Sequence, residues 1–203
     1  MESHFFTPSR PLLQSQITAS EPAASGADLR ALRRTRGVTL ADLAARLGRS
    51  VGWLSQVERD MSQPSAADLT AMAEALDVPP SLLMAQPAAS GDEAGYIVRS
   101  GARRAIDAGK PGLTEELLSP DLTDDFEMIH STFHPRSAAP GLITRPTQEV
   151  GYVVSGQLDL IIGGREFTAR TGDSFRIRGE AHRWRNPYSQ PAVVIWVIAP
   201  PVY

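Results

Sequence analysis

Residues 39–77, TLADLAARLGRSVGWLSQVERDMSQPSAADLTAMAEALD, decide the reading of this chain. Leu40, Leu43, Ala44 and Leu47 fall at i, i+3, i+4 and i+7, and Leu69, Met72, Ala73 and Leu76 repeat that spacing. Between them, Leu54 and Val57 mark the inner side of a third short helix. The starts of these helices are signposted as well. Thr39 with Asp42 and Ser65 with Asp68 fit the S/T-x-x-D capping pattern, and Ser25 with Asp28 places an earlier helix. Gly48 closes one helix and Ser50 caps the next almost at once. A turn that short forces a steep crossing, and the segment reads as a helix-turn-helix with a further helix packed behind it.

Composition sets outer limits on the whole. With 203 residues and 42% hydrophobic content, the chain can hold two small domains, each with its own core. It contains no cysteine, which excludes a disulfide framework and a thiolate metal site and fits a reducing cytoplasm. Phe5-Phe6 and Leu12-Leu13 do not make a continuous apolar h-region, so no signal peptide is expected. No run approaches the ~18 apolar residues of a membrane span. The net charge of −3 seems to speak against a nucleic-acid partner. Local counting reverses that: residues 28–62 hold seven arginines against four acids, and phosphate binding needs a basic face rather than a basic protein.

The chain divides into four parts. Residues 1–24, with Pro8, Pro11 and Pro22 among small polar residues, are expected to be a mobile tail. Residues 25–85 form the helical unit, and 86–95, QPAASGDEAG, read as a flexible linker. From residue 96 to 203 the period switches to two. Val150, Tyr152 and Val154 alternate, as do Leu158, Leu160 and Ile162, with Ser155-Gly156 and Gly163-Gly164 as turns. Further strands are expected over 126–133, 166–169, 174–178 and 192–199. The last is apolar almost throughout, as for a strand buried on both faces. Many short strands with glycine turns predict a small barrel or jelly roll.

If Leu54 and Val57 point inward, the opposite side of the 51–59 helix presents Val51, Gly52, Ser55, Gln56 and Arg59. Gln56 has the paired donor and acceptor that read adenine in the major groove, Val51 suits a thymine methyl, and Ser55 is a tolerant polar contact. Gly52 costs about 1 kcal/mol relative to alanine in a helix interior, so close approach of DNA or a tight helix crossing must justify it. Arg46, Arg49 and Arg59 are placed as phosphate contacts, which set register.

The stretch GRSVGWLSQVERDMSQPSAADL, residues 48–69, resembles the lambda/Cro-repressor-type (XRE-family) helix-turn-helix, in the form found in regulators with a C-terminal cupin domain. The resemblance implies that 50–59 is the recognition helix and that Arg33 and Glu58 pair internally. The DNA-contacting set expected on this basis is Thr39, Arg49, Ser50, Val51, Gly52, Ser55, Gln56 and Arg59.

The second half carries its own likeness. EVGYVVSG at 149–156, then GDSF at 172–175 and HRWRNP at 182–187, resemble the two motifs of the cupin family. Cupins are small β-barrels whose mouth holds a metal or small ligand. Carried over residue by residue, the first-motif histidine positions hold Ile143 and Arg145, Glu149 keeps the glutamate place, and His182 keeps the second-motif histidine place. A non-haem iron site wants two imidazoles and a carboxylate on one face. Here one imidazole and one carboxylate remain. A guanidinium at 145 cannot donate a lone pair to a metal, but it can clamp a carboxylate or phosphate. The pocket is therefore expected to hold no metal or other cofactor and to bind a small polar or anionic effector through Arg145, Glu149, Tyr152 and His182, with Arg178 or Trp184 near the mouth. A structural Arg145–Glu149 ion pair is the plainer alternative, and His130 and His134 are the histidines that could rebuild a metal site.

The expected fold is thus a two-domain α + β chain: an all-α lambda-repressor-like helix-turn-helix bundle, then an all-β cupin jelly-roll barrel. The expected function is a cytoplasmic, sequence-specific transcriptional regulator with an effector-sensing barrel and no catalytic residues. It would act as a homodimer on double-stranded operator DNA with paired half-sites. Two alternatives stand beside it. One is a metal-dependent oxidoreductase, since a helix-turn-helix joined to a cupin also describes an iron-dependent epoxidase type. The other is a barrel that only oligomerises.

Overall fold

The computed structural model describes residues 24–84, 91–93, 95–106 and 111–202. The tail expected over 1–24, apart from Ala24, and most of the linker expected over 86–95 lie outside the described residues. Ala24 is tied back to the helical unit by its N–H, 3.0 Å from the Leu83 carbonyl.

Five helices build the N-terminal unit: α1 (Gly26–Thr35), α2 (Leu40–Arg46), α3 (Val51–Val57), α4 (Ala66–Leu76) and α5 (Pro80–Leu83). Each of the first four starts at a hydroxyl. Ser25, Thr39, Ser50 and Ser65 accept from the amides of Asp28, Asp42, Trp53 and Asp68. These side chains satisfy amides that a helix start leaves without a partner. The apolar spacing read from the sequence then closes one core, with Leu32, Leu43, Leu54, Met72 and Leu82 all fully buried. Between α2 and α3 the chain reverses at Gly48, whose φ of +62° favours glycine and whose surroundings leave a side chain open space.

Helix α1 crosses α3 at a glycine. A Cβ at Gly26 would overlap the Val57 carbonyl, and the Gly26 N–H donates to Asp60 Oδ1 at 2.7 Å. The same pair of helices is joined by a buried bidentate contact. Arg33 Nε and Nη2 lie 2.6 and 3.0 Å from Glu58 Oε1 and Oε2, and Arg33 Nη1 donates to the Val38 carbonyl at 2.8 Å.

Two short 3₁₀ turns, Gly91–Glu93 and Ser100–Ala102, lead into ten strands. These are β1 (Arg104–Ala105), β2 (Leu113–Leu117), β3 (Glu127–Phe133), β4 (Ser137–Ala138), β5 (Gln148–Ser155), β6 (Gln157–Ile162), β7 (Arg165–Arg170), β8 (Ser174–Arg178), β9 (His182–Asn186) and β10 (Ala192–Ala199). They form two antiparallel sheets, ordered β1-β2-β3-β10-β5-β8 and β4-β9-β6-β7. Inner faces pack together as the jelly roll that the glycine-punctuated strands predict. Phe133 and Trp184 meet edge to face across the sheets, with centroids 4.7 Å apart. Phe175 meets Trp196 in the same manner, its ring lying where a side chain at position 151 would stand; Gly151 leaves that space.

Strand β10 departs from expectation. It alternates, with Val194, Trp196 and Ile198 buried and Val197 41% exposed, so it is covered on one face only. An apolar sequence does not distinguish two covered faces from one covered face and one exposed apolar face.

Candidate DNA-reading face and barrel cavity

On the N-terminal unit, α3 turns Leu54 and Val57 into the core and leaves Val51 47% exposed, with Gly52 and Gln56 exposed and Ser55 half-buried. Gly52 is decided by its surroundings: no atom lies within 4 Å of where its Cβ would stand, so no helix crossing requires it. Thr39 and Ser50 occupy the capping positions of α2 and α3, each hydroxyl accepting from an amide of its own helix.

The arginines divide. Arg49 is fixed in place, with Nε and Nη2 at 3.1 and 2.8 Å from Asp68 Oδ1 and its guanidinium 4.9 Å from the Trp53 ring centroid. The Asp68 carboxyl is held below its ordinary value, first by the Ser65 hydroxyl and then by Arg49. Arg59 bonds the Ser55 carbonyl at 3.0 Å while remaining exposed. Arg46, expected at a phosphate, is exposed and donates through Nη1 to the Ala75 carbonyl at 3.0 Å, where the last turn of α4 presents acceptors without helical partners.

The barrel encloses a cavity of about 550 Å³. Its wall is mostly apolar, from Phe133, Leu160, Trp184, Trp196 and Ile198, with Glu115, Arg145, Glu149 and His182 set into it. Alternation along β5 sends Glu149 inward, 3% exposed, where Oε1 accepts from the Thr147 hydroxyl at 2.7 Å. His182 is pinned by backbone bonds to Ile143 at 2.7 and 2.9 Å, and its Nδ1 lies 3.1 Å from the Glu180 carbonyl. A carbonyl only accepts, so Nδ1 carries a proton and Nε2 is the nitrogen left for another partner. Arg145 makes no hydrogen bond or ion pair among the described residues, so the Arg145–Glu149 ion pair is not formed.

Four expected positions fall elsewhere. Tyr152 is 49% exposed on the outer face of the sheet, because it lies three residues from the inward Glu149 and three is odd. Arg178 is exposed and does not line the cavity. His130 and His134 are also away from it; His130 lies opposite Tyr152's neighbour Ile195, its Nδ1 3.8 Å from Glu116, and His134 Nε2 is 3.0 Å from the Thr114 hydroxyl. The donor set at the cupin motif positions is therefore one carboxylate and one imidazole beside a cation, which does not fit a metal centre. Among the described residues no group of three or more histidine, cysteine or acidic side chains is placed to hold a metal ion.

The sequence reading passed over Glu127. It lies on the inner face in one row with Ile198 and Glu149, is 1% exposed, and has one oxygen, Oε2, with no hydrogen-bond partner among the described residues. Its other oxygen accepts from the Val202 N–H at 3.2 Å. Burial raises its pKa to about 7; the Val202 amide and Arg145 oppose that, while Glu115 and Glu149 add to it. The signal was available, as an acid in phase with Ile129 and Phe133 on an alternating strand.

Comparison with known proteins agrees with both halves. Residues 25–85 match a helix-turn-helix domain family and residues 129–198 a cupin domain family, together well over half of the chain. The HTH-type transcriptional regulator SutR of Escherichia coli K12 is 28% identical over 164 residues, covering 78% of this chain and 84% of its own. The HTH-type transcriptional regulator PuuR of the same organism is 24% identical over 172 residues, covering 83% and 90%. Among solved structures, an HTH_3 family transcriptional regulator from Vibrio cholerae aligns over 88% of this chain and 96% of its own, at 18% identity and a TM-score of 0.42. The chain belongs to the XRE-type helix-turn-helix regulators that carry a cupin domain. Among the described residues no helix is long and apolar enough to cross a membrane.

Glu127 gives this barrel a pH signature. Folding raises its pKa from the ordinary 4.5 to about 7, so between those values the folded chain holds a proton that the unfolded chain has lost. Its contribution to stability is therefore full below that window and lost as pH rises through it, on the order of 3 kcal/mol. Denaturant unfolding at steps across the window should show that decline in the wild type and a flattened profile in Glu127→Gln, with the variant the more stable above pH 7. Parallel profiles would contradict the assignment.

Proposed function

We propose that the protein is a dimeric, sequence-specific DNA-binding regulator of transcription that works in the cytoplasm, with a barrel that takes up a small polar or anionic effector and thereby alters operator affinity. One observation carries the reading: the same chain holds an exposed α3 face with an unpacked glycine beside Gln56, and a cavity of about 550 Å³ that gathers Arg145, Glu149 and His182 in an apolar wall. A site of that size with a few convergent polar groups suits a small molecule with an apolar body and a polar end. Arg145, which makes no hydrogen bond among the described residues, would supply two parallel donors to a carboxylate or phosphate. The donors at the cupin positions do not support redox chemistry at a metal, so the proposed action is binding, without a cofactor or catalytic residues.

Gln56 is assigned to base reading; Arg49 and Arg59 to phosphates; Thr39, Ser50, Val51, Gly52 and Ser55 to the surrounding contact face. One such reader makes few base contacts, and two on a two-fold axis would address half-sites about one helical turn apart. The outer face of the larger sheet is the proposed dimer surface. Met128, Val150, Tyr152, Val154 and Val197 are all at least 36% exposed there, an apolar patch of the kind that marks association.

Selection of duplexes on the full-length protein would supply an operator. On it, Gln56→Ala should lose about 1–3 kcal/mol and relax preference at one base pair per half-site. An unchanged preference would remove Gln56 from the reading role. The low-molecular-weight fraction of a bacterial extract should shift the operator affinity of the wild type and leave Arg145→Gln unmoved; an equal shift in both would move the effector site elsewhere. Val150→Glu should convert the dimer to monomer in analytical ultracentrifugation, and a persisting dimer would place the interface on another face.

A further inference from the structure

The helical unit and the barrel share a joint. Strand β2 belongs to both: Leu113 and Glu115 line the cavity, while Leu117, fully buried, is part of the helical core together with Leu122. Ile106 packs against both cores. Opposite Leu117 on β1 stands Arg104, whose Nη2 lies 2.8 Å from Asp28 Oδ2 in the first turn of α1. The Leu122 N–H donates to Asp28 Oδ1, also at 2.8 Å, and Asp28 is 1% exposed. A second tie runs from the Ser81 hydroxyl on α5 to the Ala105 carbonyl at 2.7 Å.

The chain contains an internal control for what Asp28 does. Ser25-x-x-Asp28 and Ser65-x-x-Asp68 are the same capping pattern on two helices. At α4 the box closes, Asp68 Oδ2 accepting from the Ser65 N–H at 3.0 Å. At α1 only the hydroxyl half forms, and the Asp28 carboxylate is turned to two donors on the barrel. Asp28 is therefore not spent on starting its own helix. Among the described residues Asp28 is the only carboxylate paired with this guanidinium, whose buried Nη1 has no hydrogen-bond partner there.

The other side of the same turn meets the recognition helix. Gly26 bonds Asp60 and abuts the Val57 carbonyl, and Arg33 further along α1 grips Glu58. Helix α1 is thus clamped at one end by the barrel and laid against the C-terminal end of α3. We infer that Asp28 is a positioning residue for DNA reading, the point at which β1–β2 and the 118–126 loop set the placement of α3, so that a change at the cavity wall reaches the reader within one subunit. The regulatory half of this inference rests on the cavity being an effector site; the positioning half does not.

The test uses the full chain and no effector. Hydrogen exchange followed by mass spectrometry would compare wild type, Asp28→Asn, Arg104→Gln and the charge-keeping Arg104→Lys. In the first two variants, amides of α1's first turn and of residues 57–60 should exchange about tenfold faster, in the mid-range of coupling mutations, with β6–β7 unchanged. Arg104→Lys should stay near wild type and serves as the folded control. Wild-type exchange at 57–60 in Arg104→Gln would overturn the positioning role. A cavity-filling Leu160→Trp is then measured for operator affinity in wild-type and Arg104→Gln backgrounds. It should shift affinity about tenfold in the first and little in the second. Equal shifts in both would overturn the route through Asp28. No shift in the wild type, with 57–60 still loosened by Arg104→Gln, would leave Asp28 as a positioning residue and overturn the effector reading alone.

Discussion

The arrangement of the helical unit hangs on the buried Arg33–Glu58 pair. Two charges withdrawn from water are a poor source of net stability, because desolvation offsets most of their attraction. What a bidentate pair does supply is geometry. Two parallel bonds at 2.6 and 3.0 Å fix both the rotation of α1 and the end of α3, and the third bond to Val38 adds the turn before α2. One guanidinium therefore sets three elements at once. Hydrogen bonding to Glu58 raises the Arg33 pKa further above its ordinary value, so the guanidinium end of the pair stays charged. Gly26 depends on this placement: its backbone fits against Val57 only while α1 holds that angle.

Local rules made much of this legible. Spacing of three and four found the helices, serine and threonine caps found their starts, and glycine pairs found the barrel turns. The failures share a cause, in that period-two patterns give alternation but not its phase. Val150, Tyr152 and Val154 alternate as cleanly outside the barrel as inside. The phase is set by Glu149, whose inward direction sends the next residue and every second one after it outward. Glu127 escaped for the related reason that its significance lies across strands, in the row it forms with Ile198 and Glu149. Asp28 and Arg104, 76 residues apart, meet through a contact that no window of local sequence contains.

Position 145 decides what kind of chemistry the barrel can host. With a cation, one carboxylate and one imidazole at the cupin motif positions, the cavity wall lacks the donor set of a metal site and, on the proposed reading, presents hydrogen-bond donors to a ligand instead. The same local logic applies to the whole chain, whose net charge is −3 while residues 28–62 are +3. Partners respond to fields within about a Debye length, ~8–10 Å at cellular salt, so each domain is read by its own charges.

Cavity and outer face are two sides of the same three strands. Along β5, Glu149 faces the cavity and Val150 faces out; along β10, Ile198 and Val197 do the same; along β3, Glu127 is buried on the inner face and Met128 exposed on the outer one. Strands have little freedom to twist one face without the other, since each residue's neighbours on both sides point the opposite way. A ligand that draws Glu149 or Ile198 by a fraction of an ångström thus acts on the backbone that also carries the proposed dimer surface. The joint at Asp28 leaves from the far edge of that sheet, through β2 and β1. On the proposed reading, a single six-stranded sheet stands between the effector cavity and both quantities that a dimeric DNA reader needs to control, the spacing of its two heads and the set of each one.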